Sequence, residues 1–263
     1  MFYKILLIIL GIYFLACLFM YYAQRSFLYY PNINNYTNSE SIEYDIETIF
    51  IKSSNSSLRS WLNTNGNSEF IILFFHGNAG DLENRAYKAN AFKKMGYNFL
   101  FISYRGFSGN EGKPTENNIY EDAQSSYNWL IKNGYKESEI ILYGESLGTA
   151  VAIEIAKNNS PKGLILESPF TSMVDMGNKK FPFLPIRIIL KDKFDNQSKI
   201  SSISCPILYL HGLSDMLVPK YMSDELIANT GSKVSSYFPE NDDHMMDFSN
   251  ELLNEIDYFI NSL

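Results

Sequence analysis

The chain has 263 residues, 46% of them hydrophobic, and its 22 basic and 29 acidic residues give a formal charge of −7. This size allows one sizeable folded domain, while the negative charge and the lack of a basic run exclude nucleic acid as an expected partner. Two cysteines and three widely spaced histidines form no metal-binding motif, so we expect neither a metal nor another cofactor.

The first predicted element is a transmembrane anchor at residues 1–24. Residues 5–24 are uncharged and nearly all apolar, a length that matches the hydrocarbon core of a bilayer. The alternatives are a cleaved signal peptide and a lipoprotein signal ending at Cys17. The apolar run is longer than a usual signal core, no A-x-A pattern follows it, and it continues past Cys17. Lys4 before the run and Arg25 after it favour a cytoplasmic N-terminus and a folded domain on the exported side.

A linker is predicted over residues 25–45, because residues 32–41 are polar and rich in asparagine. The folded domain then occupies residues 46–263. It opens with two alternating runs, 46–52 and 58–62, which are typical of an antiparallel hairpin at the edge of a sheet.

From Glu69 onward, short apolar runs alternate with amphipathic segments. Such repeated βα units predict an α/β fold with a mostly parallel sheet and helices on both faces. The predicted strands are 70–75, 99–104, 140–143, 163–167, 206–210 and 234–238. The predicted helices are one carrying Leu82 to Met95, one at Asn117–Asn133, one at Thr149–Lys157, and a terminal one with Met245, Phe248, Leu252, Ile256 and Phe259 on one stripe.

Ser146 lies in the motif Gly-Glu-Ser-Leu-Gly at 144–148, between the predicted strand 140–143 and the helix that follows. A sharp turn from strand to helix holds a serine hydroxyl away from the backbone, and it needs glycine two residues before and two after. The helix start supplies N–H groups where an oxyanion forms. We therefore interpret Ser146 as a catalytic nucleophile.

A nucleophilic serine needs a histidine base and an acid, and in this strand order they follow the serine in the chain. His244, between the last strand and the terminal helix, fits the base. Asp215, after the strand 206–210, fits the acid. Asp242 and Asp243 are nearer to the histidine, but we expect them to cap the terminal helix.

The remaining histidines, His76 and His211, each precede a glycine at a strand end, where a structural turn residue is expected.

The oxyanion hole needs the N–H of the residue after the nucleophile and one from a loop after an early strand. Leu147 and Asn78 meet those requirements. Asn78 lies in His-Gly-Asn-Ala-Gly, directly after the strand 70–75.

Several motifs together carry a family resemblance. They are HGNAG at 76–80, SYRGFSGNEG at 103–112, GESLG at 144–148, ESPF at 167–170, HGLSD at 211–215 and the late His244. The chain resembles the α/β-hydrolase superfamily, and within it the small, N-terminally membrane-anchored α/β-hydrolase-domain serine hydrolases. The resemblance implies Ser146, Asp215 and His244 as a triad, with Asn78 and Leu147 as oxyanion donors. It also implies a carboxylic ester or thioester substrate, since that branch includes protein-acyl thioesterases and lysophospholipid lipases.

Residues 168–204 occupy the position where such folds insert a lid, and the run Phe181 to Ile186 is apolar enough to hold an acyl chain or simply to complete the core. Two other functions stay open. An amide or peptide hydrolase would use the same triad and an acidic anchor for a substrate amine, with Glu145, Glu167 or Asp175 as candidates. A membrane-tethered binding protein would use the fold without catalysis.

Overall fold

The computed structural model describes residues 1–32, 42 and 45–263, so most of the predicted linker lies outside the described residues. Helix α1 spans Phe2–Leu28 and is long and apolar enough to cross a membrane, with no part of its apolar stretch buried in the protein. The helix ends four residues later than the anchor predicted at 1–24, because residues 25–28 continue it.

The linker predicted at 25–45 begins too early. Directly after α1, strand β1 (Tyr30–Pro31) pairs in parallel with a second short strand, Ala79–Gly80. Tyr29 is buried in the hydrophobic core of the domain, and its hydroxyl donates to Asp192 at 3.2 Å. The chain from α1 to Pro31 is therefore packed on the folded domain.

Among the described residues, eight strands form the main sheet. In chain order they are β2 (Glu47–Ser53), β3 (Ser56–Asn63), β4 (Ile71–Phe75), β6 (Asn98–Ile102), β7 (Ile140–Glu145), β8 (Gly163–Glu167), β9 (Ile207–Leu210) and β10 (Val234–Tyr237), while Ala79–Gly80 is β5. The spatial order is β10-β9-β8-β7-β4-β6-β3-β2. The pairs β2–β3 and β3–β6 are antiparallel and the others are parallel, as a mostly parallel sheet with an N-terminal hairpin requires.

Helices cover both faces of this sheet. They are α2 (Ala86–Lys94), α3 (Glu116–Lys132), α4 (Leu147–Asn158), α5 (Met173–Lys180), α6 (Ile186–Ile189), α7 (Lys220–Asn229) and α8 (Asn250–Asn261). Apolar side chains of α3, α4 and α7 form one core, and those of α2 and α8 form a second core on the opposite face. The central strands are buried on both faces, which explains their continuous apolar runs.

The sequence predicted no counterpart of α5, α6 or α7 and began the terminal helix too early. Helix α7 had no counterpart, since its apolar residues are few and its ends lack strong signals. Helix α8 starts at Asn250 and is capped by the hydroxyl of Ser249, so Met245 precedes the helix and lies exposed. The predicted stripe is correct for Leu252 and the residues after it.

The parallel strands bring their carboxyl ends to one edge of the sheet. Residues 76–80 follow β4, Ser146 follows β7, Asp215 follows β9 and His244 follows β10. Open α/β sheets bind ligands at this edge, in the loops beyond the strand ends. Helices α5 and α6, within the predicted lid at 168–204, are inserted between β8 and β9 in the same region.

Candidate active site

Ser146 occupies a strained turn between β7 and α4. Its backbone has φ 52° and ψ −114°, a conformation that residues other than glycine rarely adopt. A Cβ atom at Gly148 would lie 2.0 Å from the Phe75 carbonyl oxygen, and one at Gly144 would lie 2.3 Å from the Gly148 oxygen. Both glycines of the motif are thus required by contact with neighbouring backbone, and the turn directs the serine hydroxyl away from it.

Ser146, His244 and Asp215 form a hydrogen-bonded line, which we call the Ser–His–Asp array. Nε2 of His244 lies 3.0 Å from Oγ of Ser146, and its Nδ1 lies 2.8 Å from Oδ2 of Asp215. These distances let an imidazole accept the serine proton on one nitrogen while the carboxylate holds the other nitrogen protonated.

The Asp215 carboxylate is fixed by its own loop. Its Oδ1 accepts hydrogen bonds from the N–H groups of Leu217 and Val218, each at 2.8 Å. Burial alone raises the pKa of Asp215, but hydrogen bonds from His211 and His244 outweigh it and hold that pKa well below the usual range. The carboxylate therefore stays ionised, the form that orients a histidine.

The other two histidines lie apart from the serine hydroxyl. His211 is buried, with Nδ1 2.6 Å from the Ser223 hydroxyl and Nε2 2.9 Å from the Val218 carbonyl, so it supports the Asp215 loop. His76 donates from Nδ1 to the Gly77 carbonyl at 2.7 Å. Burial lowers the pKa of His76 to about 3, with a further contribution from the nearby Arg85 charge. Both arrangements agree with the structural turn role that the sequence favours for these histidines.

The expectation that Asp242 and Asp243 cap the terminal helix is wrong. Ser249 takes that position, accepting the Leu252 N–H at 3.2 Å. The Asp242 carbonyl instead accepts the N–H of Ser214 at 3.0 Å, which ties the histidine loop to the Asp215 loop. A loop of several residues separates these acids from the helix, and no sequence signal marked its length.

The predicted oxyanion donors are carried by the start of α4 and by the loop after β4. Leu147 is the first residue of α4, where backbone N–H groups have no partner within the helix. Asn78 is anchored through its side chain and carbonyl, since its Nδ2 donates to the Leu28 carbonyl at 2.7 Å and its carbonyl accepts the Tyr30 N–H at 2.9 Å. The end of α1 and strand β1 therefore hold the loop that carries Asn78.

Four charged side chains form a fully enclosed group beneath the elbow, which we call the buried ion cluster: Arg85, Lys88, Glu145 and Glu167. Nη2 of Arg85 lies 2.5 Å and Nζ of Lys88 lies 2.8 Å from the Glu145 carboxylate. Lys88 also lies 2.6 Å from Glu167. Burial lowers the pKa of Lys88, but the two carboxylates outweigh it and raise that pKa above its usual range. Each charge is thus compensated by an opposite one.

Sequence reasoning missed this cluster. The available signal was a charged residue on the apolar stripe of a helix, since Lys88 lies one turn before the buried Phe92 in α2. The buried ion cluster contains Glu145 and Glu167, the two acids that the sequence suggested as anchors for a substrate amine. Both carboxylates are buried and held by cations of the protein. The third candidate, Asp175, accepts hydrogen bonds from the hydroxyls of Thr171 and Ser172 at 2.7 and 2.6 Å.

A cavity of about 530 Å³ opens above the serine. Ser146 and Asn78 lie in its wall, and the surrounding surface is mostly apolar. Side chains of α1, of the lid helices α5 and α6, and of residues 216–218 complete the lining. Within residues 1–32, 42 and 45–263, no group of three or more His, Cys, Asp or Glu side chains could hold a metal ion.

Known proteins share this sequence pattern. Residues 66–194 match the family model described as serine aminopeptidase, S33. An uncharacterized protein of Mycobacterium tuberculosis is 34% identical over 215 residues, which cover 80% of this chain and 76% of that protein. The lysophosphatidylserine lipase ABHD12 of Danio rerio is 31% identical over 177 residues, 59% of this chain and 46% of that protein.

A solved structure supports the same fold. The Pyrococcus furiosus esterase Pf2001 aligns with a TM-score of 0.72 at 21% identity, over 89% of this chain and 98% of that one. The fold, the family model and the relatives agree with the resemblance carried by the motifs. The chain belongs to the α/β-hydrolase superfamily, in the branch of the α/β-hydrolase-domain proteins.

Proposed function

We propose that this protein is a membrane-anchored serine hydrolase that cleaves carboxylic esters or thioesters through an acyl-enzyme at Ser146. The observation that carries the proposal is the pair of short distances at His244, 3.0 Å to the Ser146 hydroxyl and 2.8 Å to the Asp215 carboxylate. A line of this kind activates a serine that is otherwise inert.

In the proposed reaction, the Ser146 hydroxyl attacks the substrate carbonyl while His244 accepts its proton. The N–H groups of Leu147 and Asn78 stabilise the oxyanion of the tetrahedral intermediate. Its collapse releases the alcohol or thiol, which takes the proton from His244. A water molecule, deprotonated by His244, then attacks the acyl-enzyme. Collapse of this second tetrahedral intermediate releases the carboxylic acid, and His244 returns the proton to the Ser146 oxygen. Asp215 keeps the imidazole in the required tautomer at each step.

Two features favour esters and thioesters over amides. The acids suggested as amine anchors, Glu145 and Glu167, are neutralised inside the buried ion cluster, so they offer no charge to a substrate. The cavity next to Ser146 is mostly apolar, which suits an acyl group. The match to a lysophosphatidylserine lipase supports this class of substrate.

The test is chemical labelling of the full-length protein in detergent with a fluorophosphonate, which reacts with activated serines. We expect one labelled peptide, containing Ser146, and none from Ser146→Ala. Hydrolysis of matched p-nitrophenyl esters, thioesters and anilides then ranks the substrates, and we expect the anilides to be slowest. Absence of labelling and of turnover in the wild type would favour a binding protein on this fold. A preference for anilides would favour the amide hydrolase.

We also propose that α1 is retained as the anchor. Its length of 27 residues is about 40 Å at helical rise, enough for a bilayer core of roughly 30 Å. Arg25 near its end forms an ion pair with Asp192 of the domain, at 2.8 Å, so the end of the helix is fixed to the domain. Intact mass and resistance to carbonate extraction check retention of α1. Digestion of the domain by protease added to intact cells checks the exported orientation, and protection from protease contradicts it.

A further inference from the structure

The end of α1 is part of the cavity above Ser146. Met20, Gln24 and Phe27 line the cavity from the helix, opposite residues of α5 and α6. A simple tether has no reason to reach the reactive centre. Here the same cavity wall contains the anchor helix, the lid and the serine hydroxyl, so the acyl-binding surface is shared between a membrane element and the domain.

Polar contacts fix this helix against the lid. Gln24 is buried, its Nε2 donates to the Ile189 carbonyl at 2.9 Å, and its Oε1 accepts the Lys191 N–H at 2.6 Å. Arg25 pairs with both oxygens of Asp192, at 2.8 and 3.1 Å. The two hydrogen bonds of the Gln24 amide and the bidentate Arg25–Asp192 ion pair fix the rotation of α1 about its axis and its position along that axis relative to α6. The face of α1 that carries Met20 is thereby held toward the cavity.

The lid also follows α1 along its apolar stretch. The Tyr13 hydroxyl, near the middle of that stretch, donates to the Phe183 carbonyl at 2.9 Å. Phe183 and Ile188 are 86% and 82% exposed, beside a helix whose apolar stretch is not buried in the protein either. An apolar surface continuous with a membrane-spanning helix is suited to contact with lipid rather than water.

We propose that α1 forms one wall of the acyl-chain site, so that the acyl chain of the substrate lies between the anchor helix and the lid and is drawn from the bilayer. This inference rests on the proposed function and adds a role for the anchor in substrate selection. Met20 and Phe27 then determine how long a chain is accepted. A short acyl group stays beside Ser146 and does not reach them.

The experiment compares Met20→Trp with Leu18→Trp in the full-length protein reconstituted in lipid nanodiscs. Leu18 is 40% exposed and does not line the cavity, so it is a matched control at nearly the same depth. The substrates are p-nitrophenyl butyrate and p-nitrophenyl laurate. For Met20→Trp we expect kcat/KM to fall roughly tenfold or more with laurate and less than about twofold with butyrate, since the indole occupies room needed only by the longer chain. Leu18→Trp should leave both values within about twofold of wild type.

The outcomes separate this inference from the proposed function. Equal effects of Met20→Trp on both esters, or equal behaviour of the two variants, overturn the role of α1 while the hydrolase stands. A wild type that neither hydrolyses an ester nor reacts with a fluorophosphonate overturns the proposed function itself.

Met20→Ala checks that the loss of activity in Met20→Trp does not come from misfolding. It enlarges the cavity, so laurate turnover should be retained or raised relative to butyrate, and a selective loss of laurate turnover contradicts the proposal.

Discussion

Residues 145 and 146 are neighbours in the chain, yet they belong to two polar groups with opposite surroundings. Ser146 joins the Ser–His–Asp array, which borders the cavity and is carried by loops. Glu145 joins the buried ion cluster, where Lys88 and Glu167 have no exposed surface. One short turn thus places a reactive group on one side and a compensated ionic group on the other.

The reactive serine and the ionic group that supports its turn are therefore adjacent in the chain but separate in the structure. In the buried ion cluster, Oε1 of Glu145 accepts the Gly77 N–H at 3.3 Å, and Nη1 of Arg85 donates to the Ala79 carbonyl at 2.8 Å. The cluster therefore connects the loop 76–80 to the elbow beneath Ser146. Changes in the array should affect turnover, whereas changes in the cluster should first affect the free energy of unfolding.

The sharpest separation is expected for Ser146→Ala. Removing the nucleophile should lower kcat by a factor on the order of 10⁶, as for other serine hydrolases of this type. The free energy of unfolding should stay within about 1 kcal/mol of wild type, because the change removes one hydroxyl oxygen at the cavity wall and its single hydrogen bond to His244. Ester hydrolysis and urea unfolding measure the two quantities. Residual turnover near the wild-type rate would remove Ser146 from the proposed mechanism.

Asp215→Asn should produce the next largest effect. The amide can still accept the N–H groups of Leu217 and Val218, but it does not hold His244 in the tautomer that accepts the serine proton. We expect kcat to fall by about 10⁴, the loss known for the corresponding change in serine proteases. Asp243→Asn is the control, since that carboxylate accepts the Met245 N–H of its own loop and should leave kcat within about twofold. Similar losses in both variants would contradict the assignment of the acid.

Much of the array could be predicted from sequence because its signals are local. The glycines at 144 and 148 and the apolar run before them mark the elbow, and strand order alone indicates an acid after β9 and a histidine after β10. These inferences need only the neighbours of each residue in the chain and the carboxyl-edge rule for parallel strands.

The buried ion cluster and the packing of α1 could not be predicted in the same way. Lys88 contacts Glu167 across 79 residues, and Arg25 contacts Asp192 across 167. In sequence, each of these charges resembles an ordinary solvent-exposed residue, since burial and pairing depend on how helices dock. The polar residues after Pro31 likewise indicated a linker. The contacts that residues 25–31 make with the domain produce no periodic pattern in the sequence.

Lys88→Met tests the buried ion cluster. Removing this cation leaves Glu145 and Glu167 buried with one cation fewer, and breaking a buried pair in this way costs about 3–5 kcal/mol of the free energy of unfolding. Lys94→Met, an exposed position just after the buried face of the same helix, should cost less than about 0.5 kcal/mol. Combining Lys88→Met with Glu167→Gln should recover part of the loss, because one uncompensated charge is removed. If the double variant is as unstable as the sum of the single ones, the two side chains are not coupled.

The smallest effect is expected from His76, which lies on the boundary between the two groups. Its folded pKa of about 3 is below the ordinary value of about 6.5, so the unfolded chain binds a proton first as the pH falls. Its share of stability is complete above about pH 6.5 and decreases by about 1.4 kcal/mol per pH unit toward the folded pKa. His76→Phe keeps a ring against Tyr104 and Phe107 and removes the titrating group. Urea unfolding at several pH values between 6.5 and 4.5 should therefore give a shallower pH dependence for the variant than for wild type. Parallel curves would mean that His76 titrates normally in the folded protein, and that the loop above the buried ion cluster admits water.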